Sequence, residues 1–193
     1  METEKMVIGG VLVAIIAVGL LIGVLLVMTP SSIGDTNSGE SSSIPALTAD
    51  SDFGQTRKAP DWGLLMSTGD VVQLSSLEGK FIVVDLMSLN CPSCETQNDE
   101  LDTLIDAMGD SIEVVSLSVD VSTSVSQMEQ YKINNEIGWS HGLDTNSVFT
   151  YYFNIRYTPT IVIIDADGYF RMYHEGVWTS TDIQSTISLM DRA

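Results

Sequence analysis

Cys91 and Cys94 are the only thiols in the 193-residue chain, and a Pro-Ser pair separates them. Two cysteines three positions apart lie one turn apart on a helix, close enough to open and close a disulfide. Such a dithiol exchanges electrons with other disulfides through a mixed-disulfide intermediate, with the thiolate as the attacking form. A structural disulfide framework normally uses more cysteines at wider spacing. A structural zinc site needs four ligands, whereas the only histidines are His141 and His174, 33 positions apart. The pair therefore reads as redox chemistry.

That chemistry depends on what flanks the pair. Before it runs Phe81–Met87 (FIVVDLM), a β-branched stretch of buried-strand type. After it, Leu101, Leu104, Ile105 and Met108 fall on one face of a helix, with Gly109 as its C-cap. Cys91 then stands at a helix N-terminus, where unpaired N–H groups and the helix dipole favour an anion, so its thiol pKa falls. Pro92 suits the first helical position because its missing N–H would be unpaired there anyway. Cys91, the more exposed sulfur, is the expected attacker and Cys94 the resolving thiol.

The rest of the chain reads as an α/β domain from Ala59 to Ala193. Leu64–Met66 and Val71–Leu74 flank Ser67-Thr68-Gly69-Asp70, a hairpin turn. Ile112–Val119 predicts a second buried strand, and helices follow near Ser124–Tyr131 and Ser147–Phe153. Thr160–Ile164 and Tyr169–His174 are strands around the turn Asp165-Ala166-Asp167-Gly168. A last helix starts near Thr179–Thr181 and carries Ile183, Ile187 and Met190 at helical spacing. The order predicts a sheet with parallel strands first and an antiparallel hairpin last.

Residues 1–5 form a short leading segment, and Met6–Met28 follows without a single charge. As a helix this run spans roughly 34 Å, enough to cross a bilayer's hydrocarbon core. Its length and the absence of a small-residue cleavage pattern favour a retained anchor over a cleaved signal peptide. Lys5 lies before the run and the next cation is Arg57, which puts the N-terminus in the cytoplasm and the domain outside. Residues 29–58 are rich in Ser, Gly, Thr and Asp and read as a flexible linker. The net charge of −18 argues against nucleic acid and against a basic patch on anionic lipid. It serves solubility, or steers the protein toward a basic partner.

Three blocks together carry a resemblance. Ser75-Ser76-Leu77-Glu78-Gly79-Lys80 leads into the strand FIVVDLM, the CPSC motif follows, and Tyr157-Thr158-Pro159-Thr160 precedes IVIIDADG. Residues 59–193 thus resemble the thioredoxin superfamily, and within it the TlpA/ResA-like membrane-anchored redoxins. The resemblance implies a thioredoxin-like fold, a central mixed sheet flanked by helices, with an N-terminal β-hairpin and a preceding transmembrane helix. It implies that Pro159 is a cis-proline facing the cysteines, keeping metal off them, and that the backbone of Thr158 pairs with a bound substrate strand. Pro92 and Ser93 complete that substrate surface. Asp85 matches the buried aspartate that handles the proton of the second cysteine; in an apolar strand its pKa should be raised. The alternative for Asp85 is an ordinary hydrogen-bonded residue near the sheet edge.

The sequence also departs from the pattern. Asn90 replaces the tryptophan that usually precedes the first cysteine, and Ser116 stands where a lysine partners the buried aspartate. Trp62, Met87 and Leu89 could pave a substrate surface but read more readily as core. The implied activity is thiol–disulfide exchange, mostly reductive in such redoxins and directed at secreted or membrane proteins such as apocytochrome c. It needs no cofactor or metal and is recharged by a membrane electron donor, a quinone- or thioredoxin-linked transmembrane reductase. An oxidant that forms disulfides uses the same site. A Sco-type copper chaperone would bind Cu(I) through Cys91, Cys94 and His141. A peroxidase reading lacks the Thr-x-x-Cys motif around Cys91.

Overall fold

Phe81–Met87 (β3) is buried along its whole length, so both of its faces must be covered. In the computed structural model, which describes residues 57–192, β3 lies inside a seven-stranded sheet. The strand order is β2-β1-β5-β4-β3-β6-β7. The strands are β1 (Gly63–Met66), β2 (Val71–Gln73), β3, β4 (Ile112–Ser118), β5 (Ser140–Leu143), β6 (Thr160–Ile164) and β7 (Phe170–Glu175). β4 runs parallel to both β3 and β5, whereas β6 is antiparallel to β3 and β7 to β6. This is a thioredoxin-like fold. The expected membrane segment 6–28 lies outside the described residues, as does the linker up to residue 56. Among the described residues no helix is long and apolar enough to cross a membrane.

Side chains alternate across the sheet. Phe81, Val83 and Met87 of β3 pack with Cys94, Leu101 and Leu104 of α1 (Pro92–Met108) and with Ile183, Ile187 and Met190 of α4 (Ser180–Met190). Met128 and Tyr131 of α2 (Val125–Asn134) join the same layer. Ile82, Val84 and Leu86 face the other way, toward Phe149 and Phe153 of α3 (Val148–Phe153). Each fully buried aliphatic side chain in these layers contributes roughly 1.5–3 kcal/mol. The helix ends follow local chemistry. Ser124 and Gln127 form a reciprocal capping box on α2, Thr179 caps α4, and Gly109 ends α1 at φ +52°.

Three details differ from the sequence reading. Leu74 does not extend β2; it begins a short 3₁₀ turn, Leu74–Leu77, whose Ser75 N–H is taken by the Asp61 carboxylate at 2.9 Å. Arg57 and Lys58, assigned to the linker, are held by the domain. The Phe170 N–H donates to the Arg57 carbonyl, and Lys58 bridges Tyr169 and pairs with Glu78 at 3.4 Å. The third difference is β5, Ser-His-Gly-Leu, which sequence reasoning missed. It lacks the β-branched alternation of a strand and carries a glycine.

That glycine has a steric reason. A Cβ at Gly142 would stand 2.7 Å from the Leu65 carbonyl oxygen, because β1 pairs antiparallel with β5 and sets Met66 opposite Gly142. Gly142→Ala should therefore destabilise the domain by about 2 kcal/mol through forced separation of β1 from β5. Urea unfolding of the two proteins checks this; an unchanged midpoint would mean that β1 yields freely.

Candidate active site

Cys91 caps α1 in an extended conformation (φ −121°, ψ 103°), and Pro92 begins the first turn. A disulfide joins Cys91 to Cys94, with Cα atoms 5.2 Å apart. The Cys94 N–H, which donates to the Cys91 carbonyl at 2.9 Å, also reaches Cys91 Sγ at 3.2 Å, so a helix-terminal donor is shared with this sulfur. Cys94 is completely buried in the α1 layer, while Cys91 is only half-buried. An incoming disulfide can reach the first sulfur but not the second.

The loop before β6 supplies the opposite wall. The Thr158–Pro159 bond is cis, Pro159 is buried, and the Pro159 carbonyl accepts from the Gly176 N–H at 2.8 Å. Thr158 Oγ1 donates to Cys91 Sγ at 3.4 Å, and the Thr158 carbonyl oxygen lies 3.6 Å from that sulfur. The exposed Ser93 hydroxyl sits between them, 3.3 Å from Cys91 Sγ and 3.4 Å from the Thr158 carbonyl. The tertiary fold thus brings Cys91, Ser93 and Thr158 together across 67 positions of sequence. Donors aimed at one sulfur can stabilise a thiolate there once the disulfide is opened.

Asp85 is fully buried, and in the ladder it faces Ser116 of β4 on one side and Ile161 of β6 on the other. It lies inside the sheet, not near its edge. By strand alternation it projects into the layer that holds Cys94. Burial pushes its carboxyl up to about 7, and the Ser116 hydrogen bond at 2.9 Å opposes that rise. Ser116, where the resemblance places a lysine, is thus the direct partner of Asp85. A carboxyl that titrates near neutrality can accept or return a proton at physiological pH.

Sequence reasoning missed Trp139, whose indole N–H donates to Ser116 Oγ at 2.9 Å. It lies just before the overlooked β5, so nothing in the local pattern aimed it at the sheet. His141, invoked for copper, is buried on β5 with Nδ1 3.4 Å from the Trp139 carbonyl, and burial lowers its pKa to about 4. His174 lies on β7, with three strands between it and β5, and is stacked on Trp178. Among the described residues no group of three His, Cys, Asp or Glu side chains could hold a metal ion. Met87 is core, Leu89 packs against the Cys94 layer, and Trp62 stands edge-on to Phe149 in the opposite layer.

The chain is similar to known proteins in sequence and in fold. The AhpC/TSA family matches residues 56–172. The thioredoxin-like protein YneN of Bacillus subtilis (strain 168) is 22% identical over 134 residues, covering 69% of this chain and 78% of YneN. Among solved structures, StoA from Bacillus subtilis superposes with a TM-score of 0.54 at 17% identity, covering 64% of this chain and 93% of StoA. The thioredoxin domain of a thiol-disulfide oxidoreductase from Bacteroides vulgatus gives 0.58 at 19% identity, covering 70% and 96%.

Proposed function

The chain belongs to the AhpC/TSA family, and on that premise we propose that it is a thiol–disulfide oxidoreductase acting on protein disulfides through Cys91 and Cys94. The observation that carries this reading is the asymmetric pair: a half-buried, hydrogen-bonded Cys91 Sγ at a helix N-terminus, joined to a fully buried Cys94. In the reductive direction the Cys91 thiolate attacks one sulfur of the substrate disulfide. A mixed disulfide forms and the substrate's other sulfur leaves as a thiolate. The Cys94 thiol then gives its proton to the Asp85 carboxylate and attacks Cys91 Sγ. The Cys91–Cys94 disulfide forms, the second substrate sulfur leaves, and two electrons have passed from the dithiol to the substrate. The proton on Asp85 returns to the departing thiolate or to solvent. The oxidative direction is the same sequence reversed.

Thr158, Pro159, Pro92 and Ser93 form the docking surface for the substrate chain in this reading. The charge-free run 6–28 after Lys5 supports a single-pass anchor with the N-terminus in the cytoplasm. Residues 29–56 then serve as the tether, and the domain works outside the cytoplasmic membrane on secreted or membrane proteins. A membrane reductase resets the dithiol.

Equilibration against glutathione or dithiothreitol buffers tests the proposal. A reversible two-electron transition of the Cys91–Cys94 couple supports it. A midpoint near about −270 mV marks a reductant and one toward about −120 mV an oxidant. The absence of any such transition would overturn it.

A further inference from the structure

The buried hydrogen bonds behind Asp85 run in one direction only. An indole N–H is a donor without acceptor capacity, so Trp139 must give its hydrogen to Ser116 Oγ. A serine hydroxyl has one hydrogen, and with Trp139 donating to its oxygen, that hydrogen goes to Asp85 Oδ2 at 2.9 Å. Oδ2 is therefore held as an acceptor. The other carboxyl oxygen, Oδ1, is buried with no hydrogen-bond partner. All three residues are at most 9% exposed, so solvent cannot reverse the direction of the chain.

Building on the dithiol reading above, we propose that Ser116 and Trp139 are positioning residues for the Cys94 step. Their one-way chain pins Oδ2 as an acceptor and assigns the exchangeable proton to Oδ1. Ser116 fills the role of orienting group without adding a charge to the layer. Trp139 fixes the rotor of Ser116, which would otherwise be free to turn its hydrogen away from the carboxylate.

The neighbouring groups leave this assignment legible in a titration. Cys94 of α1 is the other exchanging group on that side. Tyr131 of α2 has its pKa raised by burial, and His141 of β5 has its own lowered to about 4, so both stay neutral around pH 7. Ile161 of β6 is apolar. Removing the Ser116 hydroxyl takes a donor from the carboxylate, which favours its protonated form and moves its titration upward.

The test uses the reduced full chain with 5,5′-dithiobis(2-nitrobenzoate) as the disulfide probe. Attack by Cys91 releases the first thionitrobenzoate, and resolution by Cys94 releases the second. For Ser116→Ala, the pH midpoint of the second phase should move upward by about one pH unit. Trp139→Phe keeps an aromatic ring, smaller than the indole, and removes the N–H; it should move the midpoint the same way by a smaller amount. The first phase should be unchanged in both. If Ser116→Ala does not fold, Trp139→Phe decides by itself. Second-phase midpoints that stay at the wild-type pH would overturn the positioning role. A wild-type protein that releases no second equivalent would instead overturn the dithiol reading on which it rests.

Discussion

Cys91→Ser should lower disulfide exchange by at least about a thousandfold, to the uncatalysed background, while Cys94→Ser should stall halfway as a trapped mixed disulfide. The two outcomes differ because the two sulfurs differ in access. Cys91 Sγ is half-buried and receives the Cys94 N–H and the Thr158 hydroxyl, so it alone can meet and attack a substrate. A serine hydroxyl in its place has no accessible anion near neutral pH. Cys94 is fully buried beneath it, and its serine variant retains the attacking thiolate but cannot release the product. Mass spectrometry of each variant after incubation with a disulfide-bonded peptide checks both halves. A covalent adduct on Cys91→Ser, or none on Cys94→Ser, would reverse the assignment of attacker and resolver.

Asp85→Asn should slow the Cys94 step and make the protein more stable at alkaline pH. The kinetic loss is about a hundredfold, the lower end of what a positioned general base contributes. The stability gain follows from the titration. Folded Asp85 keeps its proton up to about pH 7, whereas the unfolded chain loses it near 3.8. Between those values the folded state binds more protons, so stability falls as pH rises through that window and is lowest above it. Three pH units of this linkage amount to about 4 kcal/mol. The asparagine variant escapes that loss, less about 2 kcal/mol for an amide N–H left unpaired in the apolar layer. Denaturant unfolding of both proteins at pH 4 and pH 8 measures the difference. Parallel pH profiles would show that Asp85 ionises freely in the folded state.

Much of this architecture was legible from residue patterns. β3, β4 and β6 carry apolar residues on both faces, a pattern of strands inside a covered sheet. α1 declares itself through Pro92, its apolar face and Gly109. β5 was not legible because its residues are dictated by neighbours: Gly142 by the Leu65 carbonyl, and His141 by its place in the polar row with Ser116. Its four residues fill the gap between β1 and β4, and no local propensity signals that gap.

The candidate site divides along the same line. Sequence alone placed the dithiol at a helix terminus and made Cys91 the expected attacker, because that reading depends on contacts within one turn of chain. It also put an aspartate in an apolar strand, and burial by itself raises such a carboxyl. Only the tertiary structure decided what surrounds these groups. Thr158 and Ser93 meet at Cys91 Sγ because β6 returns antiparallel beside β3. Ser116 meets Asp85 through the parallel register of β3 and β4, and Trp139 reaches Ser116 from 23 positions away. The direction of a hydrogen-bond chain is set by which atoms can only give and which can only receive. That is a property of the assembled layer, and no spacing along the chain encodes it.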